Sequence, residues 1–335
     1  MARRVLFWLV AGAAALALII VAALIGFRLT SQARENESRV DAAPASGQFI
    51  TAADVGIYVQ EAGPASGVPV LLIPGLGAWS ETWRPTIDAL VQAGYRVIAI
   101  DLPPFGYSFR PVTSDYSTPA QAKRILAVLD ALKIDSVVLV GHSFGARATV
   151  EAAMSAPKRV RALVLVCAAL GLQEPPGGDD NGFLTRAVLG TRPLRNAVVA
   201  SLGTNPWLTG TLLRAFTVRH EAITSQRIEI YQRPQRVNGT TEAFGRWLAQ
   251  FVLSDERPAS QQAALYRALK MPTLIIWGES DTITPLPQGQ HLASLLPDAT
   301  LVTMPGIGHI PQLEDERTFD QLLVENLARR LGPRQ

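Results

Sequence analysis

The sequence predicts an α/β protein in which helices cover both faces of a mostly parallel sheet. Short apolar runs rich in β-branched residues predict strands at residues 68–73, 96–100 and 136–140. Between such runs, apolar residues recur every three or four positions and predict helices. Three of these stripes are Trp83, Ile87, Leu90 and Val91; Ile125, Val128, Leu129 and Leu132; and Phe319, Leu323, Leu327 and Leu331. Strands that alternate with helices favour a parallel sheet.

The chain begins with a long apolar segment. Residues 5–27 carry no charge, and a helix of about 20 residues spans a bilayer. The core of a signal peptide is shorter, about 7–15 residues. We therefore expect a transmembrane helix at residues 1–28, followed by a tether at 29–47. The alternative is a signal peptide that is cleaved at the small residues in 31–33, which would lead to secretion.

The charges near this segment are almost balanced, with Arg3 and Arg4 before it and Arg28 and Arg34 after it. From the slight asymmetry we expect the N-terminus inside and the remainder of the chain outside the cytoplasm. Two of the three net positive charges of the 335-residue chain lie before residue 38, and no basic stripe with interleaved aromatics follows. We therefore expect no nucleic-acid partner. Cys167 is the single cysteine, which excludes an intramolecular disulfide.

The most informative motif is a serine between two glycines, Gly141-His142-Ser143-Phe144-Gly145. A predicted strand precedes it and a predicted helix follows it, which is the context of a nucleophile elbow. The turn is so tight that side chains at 141 and 145 would collide with neighbouring elements. It lifts the Ser143 hydroxyl above the sheet and points the first free N–H groups of the helix at it. The alternative is a structural glycine turn with a spectator serine.

A serine hydroxyl needs a base, and the chain offers four histidines. We expect the side chain of His142 to leave the elbow on another face, and His220 and His291 to lie on solvated helix faces. His309 follows a predicted strand, 300–304, in a glycine-rich loop. The carboxyl ends of strands are where α/β folds place their sites, so His309 is the predicted base.

The base needs a carboxylate to orient it, and Asp281 is the best candidate. It follows the predicted strand 271–278 in a turn that leads into a helix. Glu279, two residues earlier, is the competitor. The other position for such an acid, after the predicted strand 160–166, holds Cys167 and apolar residues instead of a carboxylate.

From about residue 48 to its end, the chain resembles the α/β-hydrolase-fold family. Ser143, Asp281 and His309 occur in the family's order of nucleophile, acid and base. Residues 277–281 resemble its W-G-x-x-D motif, and residues 308–314 resemble its G-H-x-P-x-x-E motif. The resemblance implies that the backbone N–H groups of Leu76 and Phe144 form an oxyanion hole.

The sequence departs from the family pattern at two prolines. Pro74 replaces the histidine that usually begins the oxyanion loop, which removes a side-chain hydrogen bond but leaves the donors. Pro104 replaces a glycine in the turn after the strand at 96–100, so this loop must differ locally. Neither departure touches the three predicted catalytic residues.

The resemblance also implies a helical cap inserted over the site at residues 171–265, within a core formed by 48–170 and 266–335. The segment 177–182 is rich in glycine and acidic residues. It lacks the spaced ligands and closing glutamate of a calcium loop, and we expect neither metal nor cofactor.

These features predict a serine hydrolase that cleaves carboxylic esters of a small apolar substrate. An anchor in the membrane favours a lipase, similar to a monoacylglycerol lipase. One alternative is a carbon–carbon bond hydrolase of a dienone acid, which needs a cation such as Arg147, Arg186 or Arg192 to hold the carboxylate. The other alternative is a membrane-tethered binding protein without catalysis.

Overall fold

A computed structural model describes residues 2–172 and 182–331 and contains one eight-stranded sheet. The order across the sheet is β1-β2-β4-β3-β5-β6-β7-β8. Strands β1 and β2 are antiparallel to their neighbours, and β4, β3 and β5–β8 run parallel to one another. The strands are β1 Gly47–Ala52, β2 Val55–Ala62, β3 Pro69–Ile73, β4 Arg96–Ile100, β5 Val137–His142, β6 Val160–Val166, β7 Thr273–Gly278 and β8 Ala299–Met304.

Helices cover both faces of this sheet, as the sequence predicts. The helices are α1 Ala2–Arg34, α2 Arg39–Ala42, α3 Arg84–Gln92, α4 Thr118–Ala131, α5 Gly145–Ser155, α6 Phe183–Gly190, α7 Arg192–Ser201, α8 Pro206–Ala215, α9 Ser225–Gln232, α10 Thr240–Leu253, α11 Leu286–Leu295, α12 Pro311–Glu314 and α13 Glu316–Leu331. Helices α4, α5 and α11 bury one apolar layer against the sheet, and α3 and α13 bury the other. The predicted α/β class, a mostly parallel sheet with helices on both faces, is confirmed.

The segment between β6 and β7 contains five helices among its described residues, α6 to α10. It leaves the sheet after the carboxyl end of β6, and we call these five helices and their connections the cap. Residues 177–181, which belong to the segment compared with a calcium loop, lie outside the described residues.

Helix α1 is long and apolar enough to cross a membrane by length and composition. It is longer than the apolar run because it continues to Arg34. Most of the side chains in the run are exposed, whereas Ser31 and Glu35 are buried.

The residues directly after α1 pack on the cap. Glu37 forms a parallel β-bridge with Val237, and the N–H of Asn238 donates to the carbonyl oxygen of Glu37 at 3.0 Å. Part of the predicted tether, residues 29–47, is therefore bonded to the cap. The same segment also contains α2 and the first residue of β1.

Candidate active site

Ser143 lies in a tight turn between β5 and α5. Its φ is +50°, a conformation that non-glycine residues rarely adopt, and its N–H donates to the carbonyl oxygen of Val166 at 2.9 Å. A Cβ at Gly145 would lie 2.2 Å from the carbonyl oxygen of Pro74, and one at Gly141 would lie 2.3 Å from the hydroxyl of Thr149. Both glycines are therefore required by close approach.

The side chains of Ser143, His309 and Asp281 form one hydrogen-bonded line. Nε2 of His309 lies 2.7 Å from Oγ of Ser143, and Nδ1 of His309 lies 2.8 Å from Oδ2 of Asp281. All three residues are buried. An ionised carboxylate only accepts, so Nδ1 carries the hydrogen and Nε2 is free to accept the proton of the serine.

The surroundings of Asp281 keep it ionised. Its Oδ1 accepts the N–H groups of Ile283 and Thr284 at 2.8 and 2.9 Å, and its Oδ2 accepts the hydroxyl of Thr284 at 2.7 Å. Burial alone would raise the pKa of Asp281, but the hydrogen bonds from His309 and Thr284 outweigh burial and lower this pKa below its ordinary value.

The competing residues lie elsewhere. Glu279 is exposed and accepts the hydroxyl of Thr303 at 2.7 Å. His220 is exposed in a short turn of the cap, and His291 is half-buried on α11. The structure therefore brings Asp281 and His309 to Ser143 and leaves these three apart.

His142 does not leave the site, in contrast to the expectation from the sequence. Its Nε2 lies 2.9 Å from the backbone carbonyl oxygen of His309, and the two imidazole rings are 5.3 Å apart. A carbonyl oxygen only accepts, so His142 donates. Burial, followed by the nearby His309, lowers the pKa of His142 to about 3, which keeps the ring neutral. The contact joins residues 167 positions apart, so no local pattern signals it.

The loop that carries His309 is fastened to the cap by Glu314. The carboxylate of this buried residue accepts the N–H of Gly308 at 3.0 Å and the N–H groups of Val218 and Arg219 at 2.7 and 3.0 Å. The N–H of His309 itself donates to the carbonyl oxygen of Phe216 at 2.9 Å. The glutamate of the predicted G-H-x-P-x-x-E motif thus holds the core and the cap together beside the site.

The predicted oxyanion loop lies against the elbow. A Cβ at Gly75 would be 3.1 Å from Cβ of Ser143, so the loop backbone approaches the serine closely. Leu76 follows in this loop, and Phe144 is the residue before the first turn of α5. The two predicted N–H donors therefore belong to segments that flank Ser143.

Two cavities lie near the elbow. One adjoins it as a narrow cleft lined mainly by apolar groups, among them Gly75, Phe105 and Phe144. The other is much roomier and lies beside Arg147, Thr284 and residues 168–172. Behind the first cavity, aromatic residues of α10 pack edge-on against rings of the core, with Trp247 against Phe105 and Phe144.

Arg147 borders both cavities. Its Nε donates to the carbonyl oxygen of Ala169 at 2.7 Å, and its guanidinium lies over the rings of Phe251 and Phe144 at 5.0 and 5.8 Å. Arg192, in contrast, pairs with Glu242 and is mostly exposed. Arg186 is exposed on α6.

Cys167 occupies the position directly after β6, which is the alternative position for the orienting carboxylate. Its Sγ lies 3.9 Å from the carbonyl oxygen of Gly308, and burial, with the charge of Asp281 next in effect, raises the pKa of the thiol. Together with Asp281 and His309 it offers three possible ligand atoms within 4.8 Å. The hydrogen bonds within the Ser143–His309–Asp281 line already use the other two residues.

Several known proteins are similar to this chain in sequence or in fold. A sequence model of the family described as alpha/beta hydrolase fold matches residues 68–316. A 2-hydroxymuconate semialdehyde hydrolase from Pseudomonas sp. (strain CF600) is 31% identical over 85% of this chain and 95% of its own length. A 2-hydroxy-6-oxononadienedioate/2-hydroxy-6-oxononatrienedioate hydrolase from Pseudomonas sp. is 30% identical over 82% and 92%. The structure of a meta-cleavage product hydrolase from Pseudomonas fluorescens IP01 is 28% identical, with a TM-score of 0.66 over 84% of this chain and 98% of that one.

Proposed function

Because the chain belongs to the α/β-hydrolase family, we propose that it is a serine hydrolase with Ser143 as nucleophile, His309 as general base and Asp281 as the orienting carboxylate. The observation that carries this proposal is the line of two hydrogen bonds, 2.8 and 2.7 Å long, from Asp281 through His309 to Ser143. As Oγ of Ser143 attacks a carbonyl carbon, Nε2 of His309 takes its proton, and Asp281 stabilises the imidazolium that forms.

The remaining steps follow from the same residues. The N–H groups of Leu76 and Phe144 are the proposed donors to the oxyanion. When the tetrahedral intermediate collapses, His309 returns the proton to the leaving group, and an acyl group stays on Ser143. Water, activated by His309, then hydrolyses this acyl-enzyme and restores the serine.

For the substrate we propose first a dienone acid cleaved at the carbon–carbon bond beside its ketone. The names of the relatives at 30–31% identity support this class over the ester that the sequence alone favoured. In this reaction Ser143 bonds to the ketone carbon, the neighbouring carbon–carbon bond breaks, and the electron pair goes to the dienoate fragment, which takes up a proton.

Such a substrate needs a cation for its carboxylate, and we assign this role to Arg147. It lies one helical turn after Ser143 and borders both of the cavities described above. Its planar guanidinium suits bidentate binding of a carboxylate. The other two arginines considered from the sequence are exposed on the cap.

A carboxylic ester with an apolar acyl group is the second candidate. The specific observation in its favour is the lining of the smaller cavity, where Leu102, Pro103, Phe105 and Phe144 supply apolar surface. Each methylene buried against such apolar surface contributes about 0.8 kcal/mol, so esters of longer acyl chains should be preferred until the space beside Ser143 is filled.

We further propose that α1 remains attached as a membrane anchor, with its N-terminus inside and the catalytic domain outside the cytoplasm. Residues 31–33, the alternative cleavage site of a signal peptide, lie within the helix, and Ser31 is buried. Glu35, directly after the helix, is buried as well. The end of α1 is therefore part of the folded domain, which favours a helix that stays attached.

A substrate panel on the purified full-length chain tests these proposals. A dienone acid and p-nitrophenyl esters of increasing chain length are compared by kcat/KM for the wild type, Ser143→Ala, Arg147→Gln and Arg147→Lys. The first proposal predicts turnover of the dienone acid and a loss with Arg147→Gln that is larger for this acid than for p-nitrophenyl acetate, which has no carboxylate. Refusal of the dienone acid together with rapid cleavage of medium-chain esters would reverse the order of the two candidates. Full activity of folded Ser143→Ala would overturn both.

A further inference from the structure

The last turns of α1 are built into the cap. Leu24, Phe27, Arg28, Ser31 and Arg34 are half-buried or buried, and they recur every three or four residues. This spacing places them on one face of the helix, whereas most residues before them are exposed. Contact with the cap therefore begins inside the apolar run, one turn before its end.

Polar contacts fix this packing. The guanidinium of Arg34 donates to the carbonyl oxygen of Thr204, in the connection between α7 and α8. The carboxylate of Glu35 accepts the N–H of Thr241 at 3.1 Å and also its hydroxyl, at the start of α10. Because these hydrogen bonds reach two different elements of the cap, they restrict rotation of α1 relative to the cap. The direction of the helix therefore sets the orientation of the cap.

Large apolar side chains are exposed beside this junction. Trp207, at the start of α8, is 77% exposed, and its ring meets the ring of Phe27 edge-on with 6.4 Å between centroids. Leu202, two residues before Thr204, is 57% exposed. We call Phe27, Leu202 and Trp207 the collar.

We propose that the collar lies in the headgroup region of the bilayer, so that the cap rests on the membrane surface. The inference rests on the proposed insertion of α1. Phe27 ends the uncharged run and Arg28 follows it, so a spanning helix places Phe27 at the boundary of the hydrocarbon. Trp207 touches Phe27 and is therefore at the same depth, where tryptophan is the favoured side chain because its ring is apolar and its N–H is polar.

The occupant that we assign to this surface is lipid, because the collar continues the lipid-facing surface of α1 without a break. A second copy of the chain would have to displace lipid from Phe27 before it could cover Trp207. A fixed helix direction and an apolar contact at its base together hold the catalytic domain in one attitude to the membrane.

The test uses the full-length chain in phosphatidylcholine vesicles with and without bromine on the acyl chains. Subtracting the emission of Trp207→Phe from that of the wild type isolates Trp207, and Trp8→Phe isolates a residue inside the apolar run. We expect brominated lipid to quench both signals by at least about a third. Quenching of Trp8 without quenching of Trp207 would contradict the proposed position of the collar but agree with the insertion of α1. Absence of quenching at both residues would contradict the insertion of α1 as well.

A labelled pair makes the test independent of tryptophan replacement. Leu202→Cys and Lys158→Cys each receive a polarity-sensitive thiol label, since Cys167 is buried. Lys158 precedes β6 at the amino edge of the sheet, opposite the edge that bears the cap. The label at 202 should be quenched by brominated lipid and the label at 158 should not. Equal signals at the two sites, or a 202 label that is shielded from lipid and cross-links to a second copy, would contradict the proposal.

Discussion

Nε2 of His142 lies 2.9 Å from the backbone carbonyl oxygen of His309. His142, the residue next to Ser143, thus holds the loop that carries the proposed base. We infer that His142 is a positioning residue. His142→Ala should lower kcat by about tenfold, far less than the 10⁴–10⁶-fold expected for a member of the triad, because only the placement of His309 is disturbed.

Steady-state kinetics on one ester or dienone acid measures this effect, with His220→Ala as control because His220 is exposed on the cap. The pH at which kcat/KM is half-maximal should move only for His142→Ala. A loss equal to that of Ser143→Ala would make His142 a catalytic residue and contradict the assignment.

The buried His142 also predicts a dependence of stability on pH. Its pKa in the folded protein is about 3, below the unfolded value of about 6.5, because burial disfavours the charged ring. Between pH 6.5 and 3, His142 therefore binds a proton in the unfolded chain but not in the folded chain. The free energy of unfolding falls as pH drops below 6.5, by up to about 1.4 kcal/mol per pH unit. Urea unfolding at pH 7, 6 and 5 should show a steeper loss for the wild type than for His142→Asn. Parallel losses would show that another group is responsible.

Asp320 predicts a contribution of the opposite sign. Burial, with Glu316 and Asp88 adding to it, raises its pKa to about 6, although the hydroxyl of Thr86 donates to it at 2.6 Å. The folded chain holds this proton more tightly, so the contribution of Asp320 is favourable at acid pH and is lost as pH rises towards 6. Asp320→Asn should therefore raise the free energy of unfolding by on the order of 1 kcal/mol at pH 8 and change it little at pH 4. Destabilisation at pH 8 would contradict this sign.

Glu35 predicts a link between α1 and α10, the helix that packs against Phe144 beside the candidate site. Helix α10 begins after Gly239, which has no side chain to cap it, and the carboxylate of Glu35 accepts the N–H of Thr241 instead. Removing such a cap costs about 0.5–2 kcal/mol. Because α10 carries Trp247 against Phe144, Glu35→Ala should also weaken substrate binding.

Denaturant unfolding and KM check this prediction, with Glu37→Ala as the matched control, since the described hydrogen bonds of Glu37 come from its backbone. The Glu35 variant should lose stability and the Glu37 variant should keep it. Equal stability of the two variants would show that Glu35 does not couple α1 to α10.

The sequence predicts the six parallel strands of the sheet, the elbow and the three residues joined by hydrogen bonds, because each of them has a local pattern. It does not predict the two antiparallel strands, β1 and β2. The glycines at 141 and 145 reflect backbone contacts, and Asp281 and His309 each follow a strand at the same edge of one sheet. Parallel strands bring their carboxyl ends together, so motifs distant in sequence meet there.

What the sequence did not predict depends on pairings between distant segments. The richness of residues 29–47 in alanine, serine and charge predicts a tether, yet Glu35 bonds to Thr241, 206 positions later. Nothing near either residue signals this contact. The same holds for His142, whose partner is a backbone atom and leaves no trace in the sequence.

The central claim, that Ser143 is the nucleophile of a hydrolase, is tested most directly by intact-protein mass spectrometry after treatment with a fluorophosphonate. The wild type should gain the mass of one phosphonyl group, and folded Ser143→Ala should gain none. A fluorophosphonate adduct on folded Ser143→Ala, or a wild type that takes up no label while it turns over substrate, would contradict the claim.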